Sequence, residues 1–318
     1  MKEVLRSDNS EIDNIINYLT ENSGKMIRPR MVFLTASMSA HDPVMVTDAA
    51  VAVELIHLAS LIHDDVIDHA MIRRGRESVN KRWGNHASVL TGDYLFASAF
   101  NLINQHGMQE IMENITTTIR IMCAGEIKQM ALACDLNVTE DQYLEKTYGK
   151  TACLFASSCK VGALAASMPS EYVYNLEQFG LCLGYAYQII DDLLDFLSDS
   201  SLLGKPVGTD LLEGNITLPV IHALRNNEYG PWLRALLESG ELTAQQIPEV
   251  IEVLIHSKAV EASLQSSRQF IARGLAYLDA LPASPAAKEL QHMAVYMLET
   301  YYQKLNQYKH PISREVAQ

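Results

Sequence analysis

The stretch ELIHLASLIHDDVIDHAMIRRGR, residues 54–76, decides how this chain is read. At about 3.6 residues per turn, Asp64 and Asp68 fall one turn apart on one helix face, and Asp65 lies about 100° round the axis beside Asp64. Carboxylates this close repel one another unless a cation joins them. An oxygen-only donor set of this kind suits a hard divalent ion such as Mg2+. For a single DDxxD, a solvated acidic helix end would be the simpler explanation. A second cluster, YQIIDDLLD at residues 187–195, repeats the arrangement with Asp191, Asp192 and Asp195. Both are preceded by apolar residues, which is not the pattern of a solvated face. Two such clusters facing each other would cage several metal ions and clamp a multiply charged anion.

Composition sets the bounds around this pair. The chain has 318 residues, 48% hydrophobic and 20% charged, enough for a sizeable core and incompatible with disorder. Only 10 prolines and 16 glycines punctuate it, which favours long helices. The net charge of −13 argues against a nucleic-acid partner. An anionic substrate must then be recruited locally, by metal or by clustered Arg and Lys. The five cysteines, Cys123, Cys134, Cys153, Cys159 and Cys182, form no CxxC and fit reduced thiols in a cytoplasmic protein. The N-terminus lacks the apolar run of a signal peptide. No uninterrupted apolar stretch reaches the ~18 residues of a transmembrane span, so none is expected.

Taken in order, residues 1–20 predict an amphipathic helix with Ile12, Ile15, Ile16 and Leu19 on one face. After a break at Asn22–Gly24, the segment GKMIRPRMVFL leads a basic cluster, Lys25, Arg28 and Arg30, into an apolar helix whose first turn suits Pro29. That is either a charged cap or an anion site at a helix N-terminus. Asp42–Pro43 marks a turn, and Thr47 starts a long helix to Asp68. His57 lies two turns before Asp64 on nearly the same face. Arg73, Arg74 and Arg76 follow around Gly75; their forks match phosphate oxygens, or they could neutralise the aspartates beside them. Helical patterns run through 85–105, 108–133 and 139–147, and Tyr148–Thr151 interrupts them. Lys150 then enters an apolar run, as a pocket charge or a snorkelling one. Residues 171–197 make another long helix, followed by a Gly- and Ser-rich loop carrying Lys205 and Asp210. The last hundred residues read as helical scaffold without motifs, and no strand pattern stands out anywhere.

GKMIRP, LIHLASLIHDDVIDHAMIRRG, GKT, YQIIDDLLDF and LGKPVGTD, in this order and spacing, resemble the trans-isoprenyl (polyprenyl) diphosphate synthases over nearly the whole chain. The resemblance implies one all-α domain over residues 1–318, an isoprenoid-synthase-type helical bundle around a deep central cavity. It also implies a homodimer, or a heterodimer with a small non-catalytic subunit. Asp64, Asp65 and Asp68 would bind Mg2+ on the allylic diphosphate, and Asp191, Asp192 and Asp195 a further Mg2+, three ions in all. Arg73, Lys150 and Lys205 would contact the allylic diphosphate, farnesyl or geranylgeranyl. Lys25, Arg28, His57 and Arg74 would hold isopentenyl diphosphate. Thr151 and Gln188 would face the reacting carbons. Two departures stand out: Ser23-Gly24 where Gly-Gly is usual, and Asn215 where many members carry a lysine. The asparagine resembles the catalytic subunit of bacterial heptaprenyl diphosphate synthases, which need a second subunit.

The alkyl tail should run from Asp64 back along its own helix, past Ala59, Ser60 and Ile56. No aromatic stands there, which predicts a medium- or long-chain all-trans product such as heptaprenyl diphosphate, a quinone side-chain precursor. The alternatives are a geranylgeranyl diphosphate synthase, a terpene cyclase or a non-catalytic regulatory subunit. Lys25, Arg28 and His57 argue against the cyclase, and two complete aspartate clusters argue against the regulatory subunit.

Overall fold

Asp42 opens the helix that carries the first aspartate cluster. Its carboxylate accepts from Val44 N at 2.8 Å and Pro43 fills the first helical position, so the helix begins four residues before the expected Thr47. The computed structural model describes residues 1–21, 24–131, 135–197 and 207–307, and there the protein is all-α apart from one two-stranded hairpin. In chain order the elements are α1 (Ser10–Glu21), α2 (Ile27–Ala36), α3 (Pro43–Ile67), β1 (Ile72–Arg73), β2 (Arg76–Glu77), α4 (Val79–Gln105), α5 (Gln109–Ala131) and α6 (Glu140–Thr147). A π-helical turn, Tyr148–Ala152, leads into α7 (Cys153–Ala165) and α8 (Ser170–Leu197). The rest is α9 (Thr209–Leu212), α10 (Leu218–Leu224), α11 (Gly230–Glu238), α12 (Ile247–His256), α13 (Ala259–Asp279) and α14 (Pro285–Gln307).

Two compact units share these elements. The first takes Met1–Ile119, Ser157–Glu177 and Ala283–Ala287; the second takes Arg120–Ala156, Gln178–Pro282 and Lys288–Gln318. In the first unit, α3 packs chiefly on α4 and also on α2. By length and composition α3 could cross a membrane, although its apolar run is interrupted. Its Ala49, Ala52, Val53, Leu55 and Ile56 are instead buried in the protein. His106 Nε2 lies 2.6 Å from Asp48 Oδ2 and ties the end of α4 to the start of α3. Gly84, at φ 85°, kinks α4 just where the helical pattern was expected to begin.

In the second unit, the core gathers Ile189, Leu193 and Phe196 of α8 with Leu218 and Val220 of α10, Val250 of α12 and Leu264 of α13. Thr139 and Gln142 form a capping box at the start of α6. The interruption expected at Tyr148–Thr151 is the π-turn, whose signature is the Cys153 N–H donating to Tyr148 O, five residues back. Close approach to α5 holds that turn: a Cβ added at Gly149 would stand 2.8 Å from Gly125 Cα. Gly149→Ala is therefore expected to overpack this contact and cost about 1–3 kcal/mol. Denaturant titration of wild type and variant checks this; an unchanged midpoint would mean the contact is slack.

Candidate functional site

The first unit assembles the basic half of the predicted constellation. Arg74 and Gly75, at φ 52° and 75°, form the two-residue loop of the β1–β2 hairpin, the conformation of a type I′ turn. Ser78 Oγ donates to Ala70 O at 2.6 Å, and Asn80 Nδ2 donates to Asp65 O at 3.1 Å and Ala70 O at 3.0 Å, locking the hairpin onto the end of α3. This presents Arg73 to the aspartates. Its Nε donates to Asp65 Oδ1 at 2.7 Å, and its Nη2 bonds the same oxygen. Asp65 is buried, Asp64 half-buried and Asp68 exposed. Burial raises the Asp65 pKa, against the lowering effect of Arg73.

The guanidinium of Arg74 lies against Gly24, where a Cβ would approach Nη2 to 2.5 Å. The glycine of Ser23-Gly24 that matters to this contact is thus kept, while Ser23 lies outside the described residues. Burial first, and then Arg28, Arg74 and Arg73, push the His57 pKa down to about 2. The imidazole is therefore neutral at physiological pH, a hydrogen-bonding group among cations. Glu54, three residues earlier on α3, is 4% exposed; burial raises its pKa against the pull of Arg28 and Arg74. Lys25 is exposed at the approach to α2 and Arg28 is half-buried in its first turn. A pocket beside the hairpin is lined by Leu58, Leu61, Ile62, Asp65, Arg73 and Arg74, among others.

The second unit builds a hydrogen-bonded chain on the other cluster. Thr151 Oγ1 donates to Gln188 Oε1 at 2.6 Å, and Gln188 Nε2 donates to Asp192 Oδ1 at 2.8 Å. Tyr143 Oη donates to Asp192 Oδ2 at 2.6 Å. Asp192 is 3% exposed and Asp191 is exposed. Burial first, then the Asp210 and Asp191 carboxylates, push the Asp192 pKa up to about 7, against these two hydrogen bonds.

Asp195 also makes local ties: its Oδ2 accepts from Asp210 N at 3.1 Å in the first turn of α9, and its carbonyl accepts from Gly208 N at 2.9 Å. Lys205 lies outside the described residues. Of the three positions expected to govern chain length, only Ser60 stays near the face of Asp64, about 40° away. Ile56 and Ala59, about 80° and 140° away at about 100° per residue, are fully buried. Sequence reasoning missed Glu54, Tyr143 and Lys146. An acid inside the apolar run AVAVELIHLA was the available signal for Glu54; Tyr143 and Lys146 gave none before their neighbours across the unit were known.

Among the described residues, no three His, Cys, Asp or Glu side chains are gathered as a metal-ligating group. The donor chemistry nevertheless fits a divalent cation. Every candidate ligand is a carboxylate, and Asp192 is destabilised as an anion by burial and by two like-charged neighbours, which a bound cation would relieve. The sign of the effect can be tested. An unfolded aspartate titrates near pH ~3.9, so the share of stability due to Asp192 is complete below that pH and is lost as pH rises through about 7. In EDTA, wild type is expected to lose stability relative to Asp192→Asn between about pH 4 and about pH 7. Denaturant midpoints of the two proteins across that range check it; parallel pH profiles would contradict it.

A sequence model of the family described as Polyprenyl synthetase matches residues 9–254. The chain is 37% identical over 297 residues to heptaprenyl diphosphate synthase component 2 of Geobacillus stearothermophilus, covering 93% of this chain and 92% of that one. It is 34% identical over 298 residues to octaprenyl diphosphate synthase of Escherichia coli (strain K12), covering 92% of each. The crystal structure of heptaprenyl diphosphate synthase from Staphylococcus aureus superposes with a TM-score of 0.87 at 30% identity, over 93% of both chains. The aspartate-bearing helices, the arginine hairpin and the lysine-bearing π-turn therefore belong to a member of the polyprenyl synthetase family, an all-α prenyltransferase.

Proposed function

We propose that this chain condenses isopentenyl diphosphate with an allylic diphosphate, farnesyl or geranylgeranyl, into a medium- or long-chain all-trans polyprenyl diphosphate. Heptaprenyl diphosphate, a quinone side-chain precursor, is the favoured product. The observation that carries this reading is the carboxylate cluster at Asp192, whose burial beside Asp191 and Asp210 leaves an anionic site in want of a cation. Mg2+, three ions per site, supplies the neutralisation that makes diphosphate a leaving group. Asp64, Asp65, Asp68, Asp191, Asp192 and Asp195 would hold it, with Asp195 also accepting from Asp210 N.

Each remaining residue then has a role. Arg73, Lys150 and Lys205 bind the allylic diphosphate, and Arg73 must exchange Asp65 for phosphate oxygens to do so. Lys25, Arg28, Arg74 and His57 hold isopentenyl diphosphate. The arginines carry the charge there, and neutral His57 supplies a ring N–H. Thr151 and Gln188, bonded to each other while Gln188 is bonded to Asp192, face the reacting carbons. The apolar surroundings exclude water from the allylic cation, and the released diphosphate takes the final proton. No protein nucleophile is required. The protein would work in the cytoplasm, as one domain over its whole length. It would pair with a second copy or with a small non-catalytic subunit, the arrangement that the name "component 2" of the Geobacillus relative suggests.

The test is to incubate purified protein with Mg2+, farnesyl diphosphate and isopentenyl diphosphate, with and without a candidate partner subunit, and to size the products. Asp64→Ala and Asp191→Ala are each expected to lower turnover by orders of magnitude in folded protein, since removing one carboxylate relieves self-repulsion. Near-normal turnover in EDTA would sink this reading.

Product length gives a second expectation. Ser60 is half-buried, its hydroxyl donating to His57 O at 2.9 Å, so a larger side chain there would enter space on the Asp64 side. Each methylene added to the tail gains burial worth about 0.8 kcal/mol until an obstruction is met. Ser60→Phe is expected to shorten the product towards farnesyl or geranylgeranyl diphosphate with activity retained. Ala59→Phe is expected to shorten it too, at an overpacking cost of about 1–3 kcal/mol because Ala59 is fully buried. Chromatography of the dephosphorylated products decides; an unchanged length in both active variants would mean that the tail runs elsewhere.

A further inference from the structure

Lys146 stands near the end of α6, four residues before Lys150 in the π-turn, and both lysines are half-buried. Lys146 Nζ donates to Asn215 Oδ1 at 3.4 Å, near the long limit for such a bond. Asn215 is held in turn by its backbone N–H, which donates to Asp210 O at 2.8 Å. The charges that act on Lys146 are Asp192, Lys150, Asp210 and Glu126. An ammonium has three donors, and a single neutral amide takes one of them. No bond joins Lys146 to Asp192 among the described residues; the Asp192 oxygens accept from Tyr143 and Gln188. The one direct partner of Lys146 among the described residues is a neutral carbonyl, so the ammonium keeps donors for an anion arriving beside Lys150. Asn215 is also the position where the sequence departs from the pattern it resembles, by losing a lysine.

We propose that Lys146 is a further contact for the allylic diphosphate, its ammonium kept beside Lys150 by Asn215 until substrate binds. The cation absent from position 215 is thereby supplied by the side chain that faces it. This rests on the reading of Lys150, Asp191 and Asp192 as the allylic diphosphate site.

The experiment measures binding apart from turnover. Farnesyl thiodiphosphate, an allylic analogue that does not ionise readily, and isopentenyl diphosphate are each titrated calorimetrically into full-length protein in Mg2+. Lys146→Gln is expected to weaken the allylic analogue by about ten- to a hundredfold, as for the loss of a charged hydrogen bond, and to leave isopentenyl diphosphate unchanged. Lys146→Arg should keep most of the affinity. The exchange variant Lys146→Gln/Asn215→Lys should recover it to within roughly threefold, which a purely structural Lys146–Asn215 tie has no reason to do. Thermal midpoints taken alongside identify any loss due to unfolding. Unchanged allylic affinity in Lys146→Gln would overturn the inference. So would an equal loss for both ligands, or failure of the folded exchange variant to recover binding. Wild type that bound isopentenyl diphosphate but not the allylic analogue would overturn the allylic-site reading itself, before any variant is compared.

Discussion

Like charges held close together are the constraint on which this structure turns. In the second unit a buried carboxylate sits beside two others, and the donors bonded to it among the described residues, the Tyr143 hydroxyl and the Gln188 amide, are neutral. In the first unit the sign is reversed: Arg28, Arg73 and Arg74 crowd a histidine that stays neutral, with buried Glu54 and Asp65 as counter-charges. Neither arrangement is what a fold would adopt for its own stability, since burial penalises each charge. Both make sense for a protein whose ligands carry several charges of their own.

Local backbone devices place these groups. The two-residue hairpin loop costs Arg74 a left-handed conformation, and in return turns Arg73 back onto the end of α3, so that a residue eight positions later in sequence grips Asp65. Gly24 leaves room for the Arg74 guanidinium, and Gly125 and Gly149 let α5 and the π-turn meet almost backbone to backbone. The arginine is long and flexible, whereas the glycine that makes room for it is small.

Much of this was legible in the sequence because it is local. The helix period put Asp64 and Asp68 on one face, YQIIDDLLD marked the end of α8, and the break at Tyr148–Thr151 was visible as a failure of pattern. What was not legible depends on distant partners or on very short elements. Asp42–Pro43 reads equally as a turn or as a cap with proline behind it, and only the hydrogen bond to Val44 settles which. Strands of two residues carry no alternation to detect. Asp195 matches Asp68 by spacing, but its bond from Asp210 N, fifteen residues on, has no signal in the sequence. Ala59 and Ser60 are neighbours in sequence, but a helix separates their side chains by about 100°. Lys146 looked like any surface lysine until Asn215 was placed opposite it.

The π-turn also has a bearing on how this chain can be compared or altered. Its hydrogen bond spans five residues, so one more residue is accommodated there than an α-helix would take. Angular positions counted forward from α6 as if the helix were uniform drift out of phase by most of a residue's rotation by the time α7 begins. Trimming one residue to restore a regular helix would leave every side chain of α7 intact, yet swing that helix to present a different face to its neighbours. The wide turn is therefore a phase shifter. It lets the segment before it and the segment after it each keep their own apolar stripe, while Lys150 and Thr151 occupy the arc between.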